Sequence, residues 1–208
     1  MSDDGRSRAI GAFLGLVAAE GYGRVTLRGV SEAAGLEFGE LYRLFPDKAA
    51  LVAGFLAQID AEVLAGVTPQ SDPDETARDR LFDVMMRRYD ALKPRRTAWR
   101  AIRSAAARDP LLALTLAPAV RRSMAAALEA AGLASDSLAG ALRQNGLLGI
   151  HMAVSPVFEG DDTADLSKTM AALDARLKGA EKLAQLIEKY GVVPSRRSRP
   201  EVSQSPAA

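Results

Sequence analysis

The sequence predicts an all-α protein in which several short helices precede five longer ones. Apolar residues make up 48% of the 208 residues and aromatic residues only 5%. Alanine, leucine, arginine and glutamate, which recur throughout the chain, are good helix formers. The long alternation of β-branched and polar residues that would predict strands is absent. Glycine and proline punctuate segments of helical periodicity.

Four helices are predicted in the first third of the chain. The first covers about residues 6–20 and ends at Gly21. Thr26 is a plausible N-cap of the second, and Gly35 closes that helix. A third short helix follows, and Pro46 with the next aspartate starts a fourth that continues to about residue 65.

Five longer helical segments are predicted after a loop that contains two prolines. Their approximate bounds are residues 75–92, 94–108, 111–131, 136–157 and 164–190. Pro118 lies inside the third of them and should kink or split it. The loop, residues 66–74, predicts a junction between domains at about 1–65 and 74–191. Residues 194–208 are rich in Ser, Pro and Arg and are predicted to be disordered.

Composition narrows the possible functions. The 27 basic and 26 acidic residues give a net charge of +1, so any DNA contact must come from a local patch. Without cysteine, disulfides and thiolate metal sites are excluded. The residues typical of catalytic triads, P-loops or dinucleotide sites do not occur in their usual patterns, so we expect no enzyme activity, cofactor or metal. The polar N-terminus and short apolar runs predict a cytoplasmic protein without integral membrane segments.

Residues 10–51 contain a recognisable motif. It consists of I-x2-F-L-x2-V-A-x-E-G-Y, then T-L-R-x-V-x3-A-G-L, then G-E-L-Y-R-L-F-P-D-K-x2-L. This motif resembles the N-terminal DNA-binding domain of the TetR family of bacterial transcriptional repressors. The resemblance implies a three-helix head with a helix-turn-helix at about residues 26–45, joined to a five- to six-helix effector and dimerisation bundle.

The resemblance implies that three residues contact the DNA backbone. Thr26 begins a helix, whose N-terminus favours phosphate, and it can also serve only as a cap. Tyr42 can donate a hydrogen bond to phosphate from the end of the third helix. Lys48 can pair with a phosphate or remain an ordinary solvated lysine.

Base reading is expected from the exposed face of the third helix. That face should carry Glu37, Phe38, Glu40 and Arg43, with Arg28 contributed by the second helix. Glu37 could accept a hydrogen bond from cytosine, whereas a carboxylate at Glu40 would repel phosphate unless an arginine neutralised it. Residues 24–48 hold four basic and four acidic residues, so we expect weaker DNA binding than in a typical relative.

A ligand pocket is expected in the second part of the chain. Its predicted lining is Met85, Trp99, Met124, His151 and Met152, all at apolar helix positions. Methionines adapt to irregular cavities, although packing in the core is the simpler explanation for them. His151, the only histidine, is expected to be buried or to line the pocket rather than to catalyse a reaction.

The resemblance implies a homodimer that binds double-stranded operator DNA and responds to a small apolar ligand. The last two helices are expected to form the dimer interface, with small residues for close approach and leucines for apolar contact. The expected interface residues are Ala139, Ala141, Gly146, Gly149, Ala153, Leu173, Leu177, Leu183 and Leu186.

A weaker resemblance supports an alternative. The stretches RDRLFDVMMRRYDALKPRRTAWRAI and DTADLSKTMAALDARLKGAEKL look like those of ubiquinone-biosynthesis accessory proteins, which share the TetR fold but bind lipids. They imply a lipid- or isoprenoid-binding protein that has lost specific DNA binding. The basic cluster Lys93, Arg95, Arg96 and Arg100 is then either a solvated patch or an anion- or membrane-facing surface.

Overall fold

A computed structural model describes residues 2–67 and 75–189, and within them the chain is α-helical without strands. The all-α prediction is therefore confirmed. The helices are α1 (Ser2–Glu20), α2 (Leu27–Ala34), α3 (Phe38–Leu44), α4 (Lys48–Ala65), α5 (Ala77–Leu92), α6 (Arg96–Arg108), α7 (Pro110–Ala130), α8 (Leu138–Glu159) and α9 (Ser167–Lys189). A single 3-10 turn, Lys93–Arg95, joins α5 to α6.

The helix α3 is held to α1 and α4 by a small apolar core. Leu41 and Leu51 are fully buried, and Phe45 is 2% exposed. The ring of Phe45 lies over Gly54 of α4, where an added Cβ would come within 2.8 Å of it. Because only glycine leaves this space free, Gly54 lets α3 and α4 approach closely.

The short helix α2 is defined at both ends by its caps. The hydroxyl oxygen of Thr26 accepts a hydrogen bond from the backbone N–H of Gly29. Gly35 has φ 60°, in the left-handed region that glycine adopts easily, and its N–H closes the helix on Ser31 and Glu32. Both caps agree with the sequence prediction, and the left-handed Gly35 turns the chain from α2 towards α3.

The helix α4 belongs to both halves of the molecule. Its buried residues Leu51 and Phe55 join the core with α1 and α3, while Ile59 and Val63 lie further along the same helix. The C-terminal half of α4 packs against α5 and α7. The apolar core is consequently continuous from the three-helix head into the larger bundle.

Some predicted features differ from the structure. Pro118 does not split α7, because it and Leu114 four residues earlier lie on the exposed side, where water can hydrogen-bond the free carbonyl. Leu173 and Leu177 are buried inside the subunit and cannot form a dimer interface. The loop 68–74 and the tail 194–208 lie outside the described residues.

The helix α7 also departs from the expectation of short apolar runs. Among the described residues it alone is long and apolar enough to cross a membrane, judged by length and composition only. Only 28% of this apolar stretch is buried within the molecule. Helices in the core of water-soluble proteins can have the same length and composition, so this feature alone is weak evidence for a membrane span.

Candidate DNA-binding head and effector cavity

The outer face of α3 presents two aromatic rings to solvent. Phe38 is 41% exposed and Tyr42 is 54% exposed, with ring centroids 6.3 Å apart. The guanidinium of Arg28, from α2, lies 5.4 Å from the centroid of the Phe38 ring. These three predicted residues therefore form one continuous cationic and aromatic surface, which suits contact with phosphate and with base edges.

The other exposed residues of the head flank this surface. Arg43 lies in the last turn of α3, where its Nε donates to the carbonyl of Gly39 at 3.4 Å and its remaining donors face solvent. Glu37 is the N-cap of α3 but makes no side-chain capping hydrogen bond, and it is exposed. Thr26 is exposed as well as capping α2, so its hydroxyl can serve both functions.

The structure turns Glu40 away from this surface. Its carboxylate oxygen Oε1 lies 3.6 Å from the position that a Cβ on Gly5 would occupy, in the first turns of α1. The unpaired N–H groups and the dipole at a helix N-terminus favour a negative charge there. The sequence expectation placed Glu40 beside phosphate, with an arginine to neutralise it. In the structure the Glu40 carboxylate lies near the first turns of α1 and remains partly exposed.

Lys48 is occupied within the protein. Its ammonium donates to the carbonyl of Tyr22 at 3.0 Å and lies 4.5 Å from the centroid of the Tyr22 ring. Burial lowers the pKa of Lys48, and burial together with the charge of Asp47 raises the pKa of Tyr22. Lys48 thus ties the start of α4 to the turn after α1, while remaining partly exposed at the edge of the head.

A cavity of about 200 Å³ lies between α4, α6, α7 and α8. Val52 of α4 and Trp99 of α6 form part of its wall. Alanines of α6 and α7 also line it, and their small side chains leave the space between the two helices open. Met152 lines the cavity and is 43% exposed, so the cavity reaches the surface at this side chain. The geometry is that of a small-molecule site within a helical bundle.

Two of the five predicted pocket residues, Trp99 and Met152, line this cavity. Met85, Met124 and His151 are fully buried in the core and are not part of its wall. The Nδ1 atom of His151 lies 3.1 Å from the hydroxyl of Tyr89. Burial and the charges of two nearby arginines lower the pKa of His151 to about 3, so the imidazole is neutral at physiological pH. Burial also raises the pKa of Tyr89.

Sequence reasoning missed most of the cavity wall, including Arg103. This arginine lines the cavity, but its guanidinium is held by two hydrogen bonds to Glu159, at 2.5 Å and 2.6 Å. The hydrogen bonds to Glu159 also raise the pKa of Arg103. The available signal was the series of alanines that face each other on α6 and α7, Ala106, Ala113 and Ala117, since small residues leave volume between helices.

A buried polar network joins α4 to α5 and α7. The Asp60 carboxylate accepts from Nη1 of Arg88 at 2.6 Å and from the hydroxyl of Ser123 at 2.6 Å. Arg88 is only 2% exposed, and within the described residues its Nε and Nη2 have no hydrogen-bond partner. Asp60 is therefore the only counter-charge that the described part of the chain provides for this buried arginine.

Three residues of the basic cluster around the 3-10 turn make internal contacts. Lys93 donates to the carbonyl of Ala164, and Arg96 donates to that of Asp161. Arg95 pairs with Glu62 of α4 through two hydrogen bonds. Arg100 is exposed. The cluster thus ties α4 and the loop between α8 and α9 to the 3-10 turn. Carboxylates pair with Arg95 at 2.9 Å and with Arg96 at 3.9 Å, whereas the bond of Lys93 is to a neutral carbonyl.

The comparisons with known proteins agree with this architecture. Residues 12–54 match the family model described as bacterial regulatory proteins, tetR family. The TetR transcriptional regulator from Nitrosomonas europaea ATCC 19718 superposes with a TM-score of 0.67 at 19% identity, over 85% of this chain and 98% of that one. The TetR transcriptional regulator from Rhodococcus sp. RHA1 gives a TM-score of 0.50 at 25% identity, over 83% and 94%. No curated protein matches the chain.

The molecule is therefore an all-α protein with a helix-turn-helix head and a cavity-bearing bundle. Its N-terminal segment has the sequence pattern of the TetR family, and the chain as a whole has the fold of TetR-family regulators. The resemblance seen in the sequence is confirmed. Nothing in the comparisons favours the lipid-binding alternative.

Proposed function

We propose that the protein is a transcriptional repressor that binds operator DNA as a homodimer and releases it when a small apolar ligand enters the cavity. The proposal is carried by the outer face of α3. Arg28, Phe38, Tyr42 and Arg43 share that side of the head, while Glu40 is withdrawn towards α1. Because the Glu40 carboxylate lies beside the first turns of α1, it is not part of the surface formed by Arg28, Phe38 and Tyr42, which supports phosphate contact at that surface.

A dimer is supported by the exposed face of α8. Gly146 and Gly149 lie in the middle of this helix, and nothing within the subunit comes within 4 Å of a Cβ placed on either. A glycine inside a helix costs about 0.5–1 kcal/mol relative to alanine, and packing within one subunit does not require it here. Exposed Leu142 and Met152 flank the glycines, and α9 adds exposed Leu183. A second copy of the chain packed closely on this face would account both for the glycines inside the helix and for the exposed apolar side chains beside them.

The contacts of α4 provide a route from the cavity to the head. Val52 lines the cavity and lies one helical turn after Lys48, which holds the carbonyl of Tyr22 in the head. A ligand that displaces Val52 would therefore move α4 and the turn that Lys48 contacts. In a dimer this movement would change the distance between the two α3 helices and their fit to adjacent major grooves.

Selection from a random double-stranded library, followed by fluorescence anisotropy at several salt concentrations, tests DNA binding. We expect saturable binding to a palindromic site with two half-sites about one helical turn apart. Arg43→Ala should weaken binding and lower the slope of log K against log salt by about 1. Arg108→Ala, at the exposed end of α6 and outside both α3 and the proposed dimer face, is the matched control and should leave the slope unchanged. A wild-type protein without sequence preference at low salt would refute the proposal.

A further inference from the structure

We propose that the ligand of the cavity is a compact, neutral, apolar molecule about the size of a monosubstituted benzene. This inference rests on the proposed function, since it takes the cavity between α4, α6, α7 and α8 as the effector site. It specifies the chemical class of effector by size and by charge, and it excludes long-chain lipids and carboxylates.

The size of the ligand follows from the volume of the cavity. The cavity holds about 200 Å³. Pockets for drug-sized ligands measure roughly 300–1,000 Å³. An engineered apolar cavity of roughly 150 Å³ binds benzene. The volume found here lies just above that reference and below the drug-sized range, so its interior accommodates one ring with a short substituent. An isoprenoid or a long acyl chain would leave most of its length in water at the opening beside Met152, and that exposed length would contribute little to binding.

The charge of the ligand follows from the wall. Its side chains are aliphatic or aromatic apart from Arg103, and they include Val52, Ile102, Leu116 and Leu148. The Arg103 guanidinium is already paired with Glu159 through two hydrogen bonds, so it is not available to a second carboxylate. Among the described wall residues, the Trp99 indole N–H is a buried donor without a partner. One neutral donor does not replace the hydration shell of a carboxylate, so an anionic ligand is strongly disfavoured, whereas a neutral ring can lie against the indole. Burial of an apolar ring incurs no such penalty.

The chain contains a matched pair of positions for testing the site. Ala106 of α6 lines the cavity, whereas its neighbour Ala107 faces solvent. Ala106→Leu should occupy part of the space that the ligand needs, and Ala107→Leu makes the same chemical change outside it. Trp99 is the single tryptophan of the chain and forms part of the cavity wall, so its fluorescence reports events there.

The experiment titrates the full-length protein, without DNA, with ethylbenzene, benzoate and dodecanoate by isothermal titration calorimetry and Trp99 fluorescence. We expect ethylbenzene to bind at one site per chain with Kd between about 10 μM and 1 mM. Benzoate and dodecanoate should bind at least about tenfold more weakly. Ala106→Leu should weaken ethylbenzene binding at least about fivefold, and Ala107→Leu should not change it.

The outcomes separate this inference from the proposed function. Equal or tighter binding of benzoate or dodecanoate by the wild type would overturn the inference, whatever the folding of the variants. Equal ethylbenzene binding by the two alanine variants would also overturn it, since the ligand would lie elsewhere. Ethylbenzene binding by a protein that shows no specific DNA binding would support the inference and refute the proposed repressor. Specific DNA binding without ethylbenzene binding would support DNA recognition by the head and overturn the inference about the ligand.

Discussion

Replacing Asp60 by alanine should be among the most destabilising single changes in this protein. Asp60 is the counter-charge of Arg88, which is 2% exposed, and it also accepts the hydroxyl of Ser123. Two other guanidinium nitrogens of Arg88 already lack partners. The substitution would leave a buried positive charge unpaired, and breaking such a pair costs about 3–5 kcal/mol. In a chain of this length the corresponding drop in Tm is about 6–20 °C.

The same helix provides the control. Glu62, two residues further along α4, pairs with Arg95 through two hydrogen bonds, but both side chains are partly exposed, at 44% and 31%. An exposed pair of this kind contributes about 0–1 kcal/mol, so Glu62→Ala should lower Tm only slightly. Urea unfolding followed by Trp99 fluorescence, together with calorimetric Tm values, measures both variants.

A double replacement separates the unpaired charge from loss of packing. Asp60→Leu with Arg88→Met removes both charges, and we expect it to recover most of the stability lost in Asp60→Ala, because a buried ion pair can often be replaced by apolar residues at little cost. The reasoning is refuted if Asp60→Ala is no more destabilising than Glu62→Ala, or if the double variant is less stable than the single one.

Three further predictions concern the head and the buried histidine. Thr26→Ala removes the N-cap of α2 and should lower the free energy of unfolding by about 0.5–2 kcal/mol in urea titrations, whereas an unchanged midpoint would contradict the capping role. Glu37→Gln should raise non-specific DNA affinity at low salt more than Glu40→Thr does, because Glu37 is exposed and Glu40 faces α1. If anisotropy titrations show a larger gain in affinity for Glu40→Thr, then Glu40 lies beside phosphate. Burial lowers the pKa of His151 to about 3 in the folded state. Between pH 3 and about pH 6.5 the unfolded state therefore binds more protons than the folded state, and the free energy of unfolding should decrease by about 1.4 kcal/mol for each unit that the pH falls. His151→Gln should flatten this dependence, and parallel curves for the two proteins would show that His151 is not its source.

Local signals were sufficient to predict the fold of the head. Thr26 and Gly35 mark the ends of α2 because capping depends on residue type and a few neighbouring backbone groups. Leu41 and Phe45 follow the apolar spacing of a helix packed on one face. The sequence left open whether Pro118 kinks or splits α7, because the outcome depends on whether the carbonyl one turn earlier faces water, which only the tertiary structure determines; α7 continues through it.

The candidate sites were predictable only in part, for a related reason. The residues of the α3 face follow from the motif, but the direction of Glu40 depends on where the start of α1 lies, 35 residues earlier in the chain. The cavity lies where small side chains on different helices face one another, so its wall is not encoded in any single segment. The sequence predicted that the large residues Met85 and Met124 line the pocket, but both are buried in the core. Alanines on facing helices indicate the position of a cavity better than large apolar residues do, because they leave space between the helices.

The position of α4 also determines how the molecule can be divided. The sequence predicts a boundary near residue 66, which would allow a fragment carrying the head to be separated from the bundle. Yet Ile59 and Val63 are buried in a core that continues into the bundle. A fragment ending at residue 65 would expose them to water and should aggregate or lose its helix-turn-helix. The two functional halves should therefore melt in one cooperative transition, so variants of the cavity can change the amount of active head even when they touch no DNA.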